Sequence, residues 1–132
     1  MKTALLVDDS LMTLRLGQHL LEPLGLKVTP AESAQIAYDI INQKNRYFDI
    51  IIIDYNLGPG ENGIELGVKI RDMQRYASTP LIMLSGSEDH QLENWCKDAG
   101  FTGCYRKGLE GSYDFIQCIE KILGKSTINH AA

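Results

Sequence analysis

Asp49-Ile50-Ile51-Ile52-Ile53-Asp54 is the stretch on which the fold depends. Four consecutive β-branched residues have no wet face to alternate with a dry one, so the run fits a strand covered on both sides. Strands of that kind lie in parallel sheets, where a crossover helix must separate sequence neighbours. Working outward, further apolar runs recur at the spacing this requires. Ala4-Leu5-Leu6-Val7 ends in Asp8-Asp9, Lys27 to Pro30 gives a short strand, Leu81 to Leu84 follows Pro80 and ends at Ser85, and Cys104 to Lys107 give a fifth. Between them lie helical stripes: Leu14, Leu21 and Leu24 after a Ser10 cap; Ala37, Ile40 and Ile41; Leu66, Ile70 and Met73; Leu92, Trp95, Cys96 and Ala99; Ile116, Ile119 and Leu123. The order βαβαβαβαβα predicts an α/β three-layer sandwich with a parallel five-stranded sheet of order 2-1-3-4-5, whose switch point lies between strands 1 and 3.

The totals agree with one such domain. The chain has 132 residues, 44% hydrophobic and 23% charged, without a repeat or low-complexity segment. Thirteen basic against 17 acidic residues leave a net charge of −4, which argues against nonspecific attraction to nucleic acid or an anionic membrane. The apolar runs are too short to span a bilayer, and Met1-Lys2-Thr3 leads directly into the first strand with no room for a signal peptide, so a cytoplasmic protein is expected. Cys96, Cys104 and Cys118 form no C-x-x-C pair and read as three reduced thiols, while His19, His90 and His130 are too scattered for a metal site. Residues 1–124 form the expected domain, and 125–132 a flexible tail or the start of a linker.

The predicted topology carries a chemical consequence. Asp8 and Asp9 end strand 1, Asp54 ends strand 3, Ser85 ends strand 4 and Lys107 ends strand 5, so all five fall at the carboxyl edge of the sheet, with the acids at the switch point. Three facing carboxylates repel unless a cation sits among them. Oxygen donors of this kind suit Mg²⁺, with Asp8, Asp9, Asp54 and a backbone carbonyl just beyond Asp54 as ligands. One carboxylate can instead attack phosphorus, giving an aspartyl phosphate. Asp54 suits that role because it lies between the acidic pair and Lys107. Mg²⁺ and Lys107 would then neutralise the negative charge on the phosphoryl oxygens, which is the larger part of the catalysis, and Ser85 can donate a hydrogen bond to the same oxygens.

Val7-Asp8-Asp9-Ser10, Asp54 after an apolar strand, Ser85-Gly86 and Lys107 in the fifth strand together resemble a response-regulator receiver domain, over roughly residues 2 to 124. The resemblance implies a flavodoxin-like (CheY-like) fold and a place in a two-component system or phosphorelay. Asp54 would be the phosphoacceptor, supplied by a phosphohistidine on a histidine kinase or histidine phosphotransfer protein. Asp9 and Asp54 would bind Mg²⁺ through carboxylates, Asn56 through its carbonyl and Asp8 mainly through water. Lys107 would pair with Asp54 and then with the phosphoryl group, Ser85 would be the switch hydroxyl, Gly86 would leave the group accessible, and Asn56 and Ser87 would tune its lifetime. A downstream protein or output domain would read a surface made by the fourth helix, fifth strand and fifth helix.

Three positions depart from the family's pattern. Gly108 follows Lys107 where proline with a cis bond is usual, and a cis bond without proline costs about 3–4 kcal/mol. Cys104 stands where tyrosine or phenylalanine is usual, and Tyr105 should point to the other face. The loop after Asp54, Tyr-Asn-Leu-Gly-Pro-Gly-Glu-Asn-Gly, is one residue longer than the commonest form. Gly58-x-Gly60-x-x-Gly63 within it matches a dinucleotide fingerprint, but it follows the third strand rather than the first and Asp54 would oppose a pyrophosphate. Two other functions fit part of the pattern. A degenerate receiver could act as an unphosphorylated scaffold, although Asp8, Asp9, Asp54 and Lys107 are intact. A small Mg²⁺-dependent phosphatase would want an acid where Asn56 stands, and a cap domain for its substrate.

Overall fold

The computed structural model describes residues 2–86, 90–107 and 109–124. Strands β1 (Lys2–Val7), β2 (Leu26–Ala31), β3 (Ile50–Asp54), β4 (Leu81–Ser85) and β5 (Gly103–Arg106) alternate with helices α1 (Leu11–Leu21), α2 (Ala34–Ile41), α3 (Gly63–Arg71), α4 (His90–Asp98) and α5 (Leu109–Ile122). The strands pair in parallel in the order β2-β1-β3-β4-β5, as the alternation predicts.

The period of two along each strand builds two cores. Leu5, Val7, Ile51, Ile53, Leu81 and Met83 meet α2, α3 and α4 on one face. Ala4, Leu6, Ile50, Ile52 and Ile82 meet α1 and α5 on the other. The isoleucines of β3 are fully buried, which accounts for the absence of any polar residue in the run. Each such side chain contributes about 1.5–3 kcal/mol through burial, so the central strand is firmly held where Asp54 begins the site. Cys104 joins the α4 side and Tyr105 the α5 side, as strand alternation requires.

Local chemistry sets the element ends. Ser10 caps α1, its Oγ accepting a hydrogen bond from the Thr13 N–H at 3.2 Å. After Leu21 the chain tightens into a 3₁₀ turn, Glu22–Leu24, and Gly25 leaves it with φ of 91°. Pro30 lies inside β2, which is tolerated because β2 is an edge strand and need not donate on its open side. Arg71, at the end of α3, donates to the carbonyls of Tyr76, Thr79 and Gly100, tying the helix to the segments on either side of β4. Trp95 differs from its expected packing role: Leu92 and Cys96 take the buried positions of α4, and Trp95 is 43% exposed. No helix among the described residues is long and apolar enough to cross a membrane. Ser87, Gly108 and the tail 125–132 lie outside the described residues.

Candidate functional site

The carboxyl ends of β1, β3, β4 and β5 converge on one acidic cluster. Asp54 is the last residue of β3, Asp8 follows β1, Ser85 ends β4 and Lys107 follows β5. The backbone ladder runs past the strand ends and holds these positions: Tyr55 N–H donates to Leu84 O at 3.0 Å, and Lys107 N–H to Ser85 O at 2.8 Å. Asp8, Asp54 and Ser85 are buried, while Asp9 is exposed and gives the cluster its open side. Asp8, Asp9 and Asp54 each present an oxygen, all within 4.8 Å of one another.

Lys107 bridges the two buried acids. Its Nζ lies 2.5 Å from Asp8 Oδ2 and 3.1 Å from Asp54 Oδ2. The sequence suggested a pair with Asp54; the pairing with Asp8 is tighter and was not legible there. Asp8 is fixed further by its Oδ1, which accepts from the Ser10 N–H at 2.9 Å. Burial lifts the Asp54 carboxyl above its ordinary range; the hydrogen bond and charge of Lys107 oppose this, Asp8 adds to the rise, and the Asn56 N–H opposes it again. Burial alone would lower the Lys107 ammonium, but its hydrogen bonds to Asp8 and Asp54 more than reverse that and hold it above the ordinary lysine value.

The glycine-rich loop serves this geometry. Gly58 and Gly60 have φ of 78° and 99°, a region that costs side-chain-bearing residues dearly, and they turn the chain back toward α3. A Cβ on Gly58 would sit 3.6 Å from Asp9 Oδ2, so the loop passes beside the acid. Gly63, the first residue of α3, is a close-approach glycine: a Cβ there would overlap the Asp54 carbonyl oxygen and lie 3.0 Å from the carbonyl carbon. Its N–H donates to Tyr55 O at 2.8 Å. Asn62 and Glu65 form a capping box that starts the helix at that residue. Gly63 is therefore a site residue that the motif reading placed only in a chance fingerprint. Gly86 is exposed, and among the described residues nothing lies within 4 Å of a Cβ built on it.

A set of hard oxygen donors around one ammonium fits a divalent cation. Three carboxylates and one lysine sum to −3 + 1 = −2 when ionised, and the exposed Asp9 provides the entry side. Among the described residues this is the only group of three or more potential ligands brought together; no cysteine or histidine joins it.

Comparison with known proteins supplies the family. The response regulator receiver domain pattern matches residues 4–119. Among curated proteins, the phosphate regulon transcriptional regulatory protein PhoB of Pseudomonas aeruginosa is 34% identical over 94 residues, covering 70% of this chain and 40% of PhoB. A chemotaxis protein CheY homolog of Campylobacter jejuni is 37% identical over 82 residues, 61% of this chain and 62% of that one. The virulence sensor protein BvgS of Bordetella bronchiseptica is 32% identical over 110 residues, 80% of this chain but 9% of BvgS. The chain thus spans under two thirds of each of these relatives. Among solved structures, the chemotaxis response regulator CheY4 of Vibrio cholerae superposes with a TM-score of 0.82 at 26% identity, over 92% of this chain and 98% of that one.

Proposed function

This chain belongs to the response-regulator receiver family, and from that premise we propose that it is a regulatory phosphoacceptor taking a phosphoryl group onto Asp54. The observation that carries the reading is the Lys107 ammonium held between Asp8 and Asp54, with the exposed Asp9 beside them. A carboxylate oxygen of Asp54 attacks the phosphorus of a phosphohistidine on a histidine kinase or histidine phosphotransfer protein; the new O–P bond forms as the P–N bond breaks and the histidine ring leaves. Asp8, Asp9, Asp54 and the Asn56 carbonyl would hold Mg²⁺, which when bound supplies positive charge against the phosphoryl oxygens. Lys107 then exchanges part of its ion pair with Asp54 for the phosphoryl oxygens, keeping its contact with Asp8. The buried Ser85, at the end of β4, turns its hydroxyl toward the same group.

The consequence is regulatory rather than metabolic. A domain spanning residues 1–124 would shift between two arrangements of the surface formed by α4, β5 and α5, read by a downstream protein or output domain. A full switch requires the phosphoryl group to favour one arrangement by several kcal/mol, about 5.5 for a change from 1:99 to 99:1. Because Cys104 stands in place of the family's usual aromatic, movement of Ser85 must reach that surface by another contact.

Intact mass after incubation with acetyl phosphate, with and without Mg²⁺, tests the acceptor. One phosphoryl group should be added to wild type in Mg²⁺ and none to Asp54→Asn. Substantial labelling of that variant would sink the assignment. No labelling of any form, combined with wild-type Mg²⁺ affinity, would move the choice to a protein donor; absence of Mg²⁺ binding as well would leave an unphosphorylated scaffold.

A further inference from the structure

On the face of the sheet away from α1 and α5, Cys96 of α4 and Cys104 of β5 pack into the same core cluster and line one cleft. Cys96 is buried and Cys104 partly exposed, and the two thiols lie close enough for each to shift the acidity of the other. Both line a surface cleft of about 230 Å³ together with Glu93, Lys97, Phe101 and Thr102. Cys118 belongs to the opposite core, across the sheet. None of these thiols takes part in the acidic site, and two cysteines brought together from different elements, with access from solvent, form a chemical unit of their own.

We propose that Cys96 and Cys104 are an oxidisable dithiol that closes to a disulfide between α4 and β5 when it meets a hydroperoxide. Cys104 is the attacking member because it is the partly exposed thiol of the two and Cys96 is buried. The neighbouring Cys96 pulls the Cys104 thiol below the ordinary cysteine value against the opposing effects of burial and Glu93, whereas Cys104 in turn, with burial, pushes Cys96 up. The Cys104 thiolate attacks a peroxide oxygen, an S–O bond forms and the O–O bond breaks, and the sulfur gives two electrons to the departing hydroxide. Cys96 sulfur then attacks the Cys104 sulfenic acid, forming S–S and breaking S–O, and its proton leaves with the hydroxide as water. A thiol reductant reverses the change. The crosslink would pin α4 to β5 and so restrain the surface that phosphorylation of Asp54 is proposed to rearrange; this second consequence rests on the receiver reading.

Brief treatment of the full chain with hydrogen peroxide, followed by intact mass and unreduced tryptic mapping, decides the first point. Lys97 and Arg106 place Cys96, Cys104 and Cys118 on three separate tryptic peptides. Wild type and Cys118→Ser should lose two hydrogens and yield the Cys96–Cys104 linked peptide, restored by dithiothreitol, while Cys104→Ser should yield none. Oxygen addition at Cys104 without the link, or a link through Cys118, would overturn the proposal. Hydrogen exchange of α4 with and without beryllium fluoride, an acyl-phosphate mimic, then separates the two ideas. Loss of the beryllium response on crosslinking supports the restraint, and an undiminished response in the crosslinked protein refutes it. A reduced protein with no response at all would count against the phosphorylation reading and leave the linked peptide standing.

Discussion

Asp54→Asn should stabilise the metal-free protein, although it removes a salt bridge. Asp8, Asp9 and Asp54 have oxygens within 4.8 Å of one another. At an effective dielectric constant of about 20, unit charges that close repel by about 3.5 kcal/mol, the scale of the repulsion from buried Asp8, while the exposed Asp9 is screened by water and adds less. The attraction of Asp54 to Lys107 at 3.1 Å amounts to about 5 kcal/mol on the same scale. That attraction exceeds the Asp8 repulsion, so it is burial, the largest influence on Asp54, that sets the balance against its carboxylate. Asparagine keeps the shape, sheds the charge and leaves Lys107 paired with Asp8. Thermal unfolding in EDTA at low ionic strength should therefore place the variant above wild type by about 3–8 °C. Mg²⁺ at about 100 times its dissociation constant adds about 2.7 kcal/mol to wild type and much less to a variant with one carboxylate fewer, so the order of melting should reverse. A variant that melts below wild type in EDTA would refute the reasoning, because the Lys107 bridge would then outweigh the burial of the carboxylate.

Other expectations follow from the same geometry. Because the folded pKa of Asp54 is raised above 3.8, the cost of its charge is present at neutral pH and relieved as pH falls through the folded value toward 3.8; the gap between wild type and Asp54→Asn in urea melts should close across that window. Lys107 has its folded pKa raised above 10.5, so its contribution is complete below 10.5 and lost as pH rises through the folded value; Lys107→Ala should lack this alkaline loss, remain folded by circular dichroism, and accept phosphate without the α4 response. Gly63→Ala should cost about 1–3 kcal/mol in chemical denaturation and slow acetyl phosphate labelling, since the new methyl group pushes on the Asp54 backbone. Gly67→Ala, whose methyl group would overlap the Phe101 ring away from the acids, should cost a similar amount and leave the labelling rate unchanged.

The elements visible in the sequence were those whose chemistry is local. Ile50 to Ile53 announce a doubly covered strand because no alternation is possible, and Ser10 marks the start of the first helix through its cap. The acids and Lys107 could be gathered at one edge because parallel topology sends the carboxyl ends of all strands the same way. What remained hidden depends on distance between elements rather than on residue type. The tighter pairing of Lys107 with Asp8, the meeting of Cys96 with Cys104, and the three carbonyls collected by Arg71 all join separate elements with no periodic signature. Trp95 shows the same limit from the other side, since its neighbour Cys96 takes the inward position and a helical stripe alone does not say which of two adjacent residues does so.

Gly63 joins these two kinds of information. In sequence it completes a fingerprint for a phosphate-binding turn, and its spacing alone cannot distinguish a turn that cradles a ligand from one that admits a neighbouring backbone. In the fold, the carbonyl of Asp54 occupies the space where a side chain would be. The longer loop therefore leaves the first turn of α3 seated against the proposed phosphoacceptor, with Gly58 and Gly60 absorbing the reversal that brings it there. An insertion at the loop's exposed tip should be tolerated, because φ above zero there is already supplied by glycine. An insertion between Asn62 and Gly63 would instead put a side chain against the Asp54 carbonyl and break the capping box together. The two insertions lie only a few residues apart, so opposite effects on acetyl phosphate labelling would trace the sensitivity to backbone contact at Asp54 rather than to loop length.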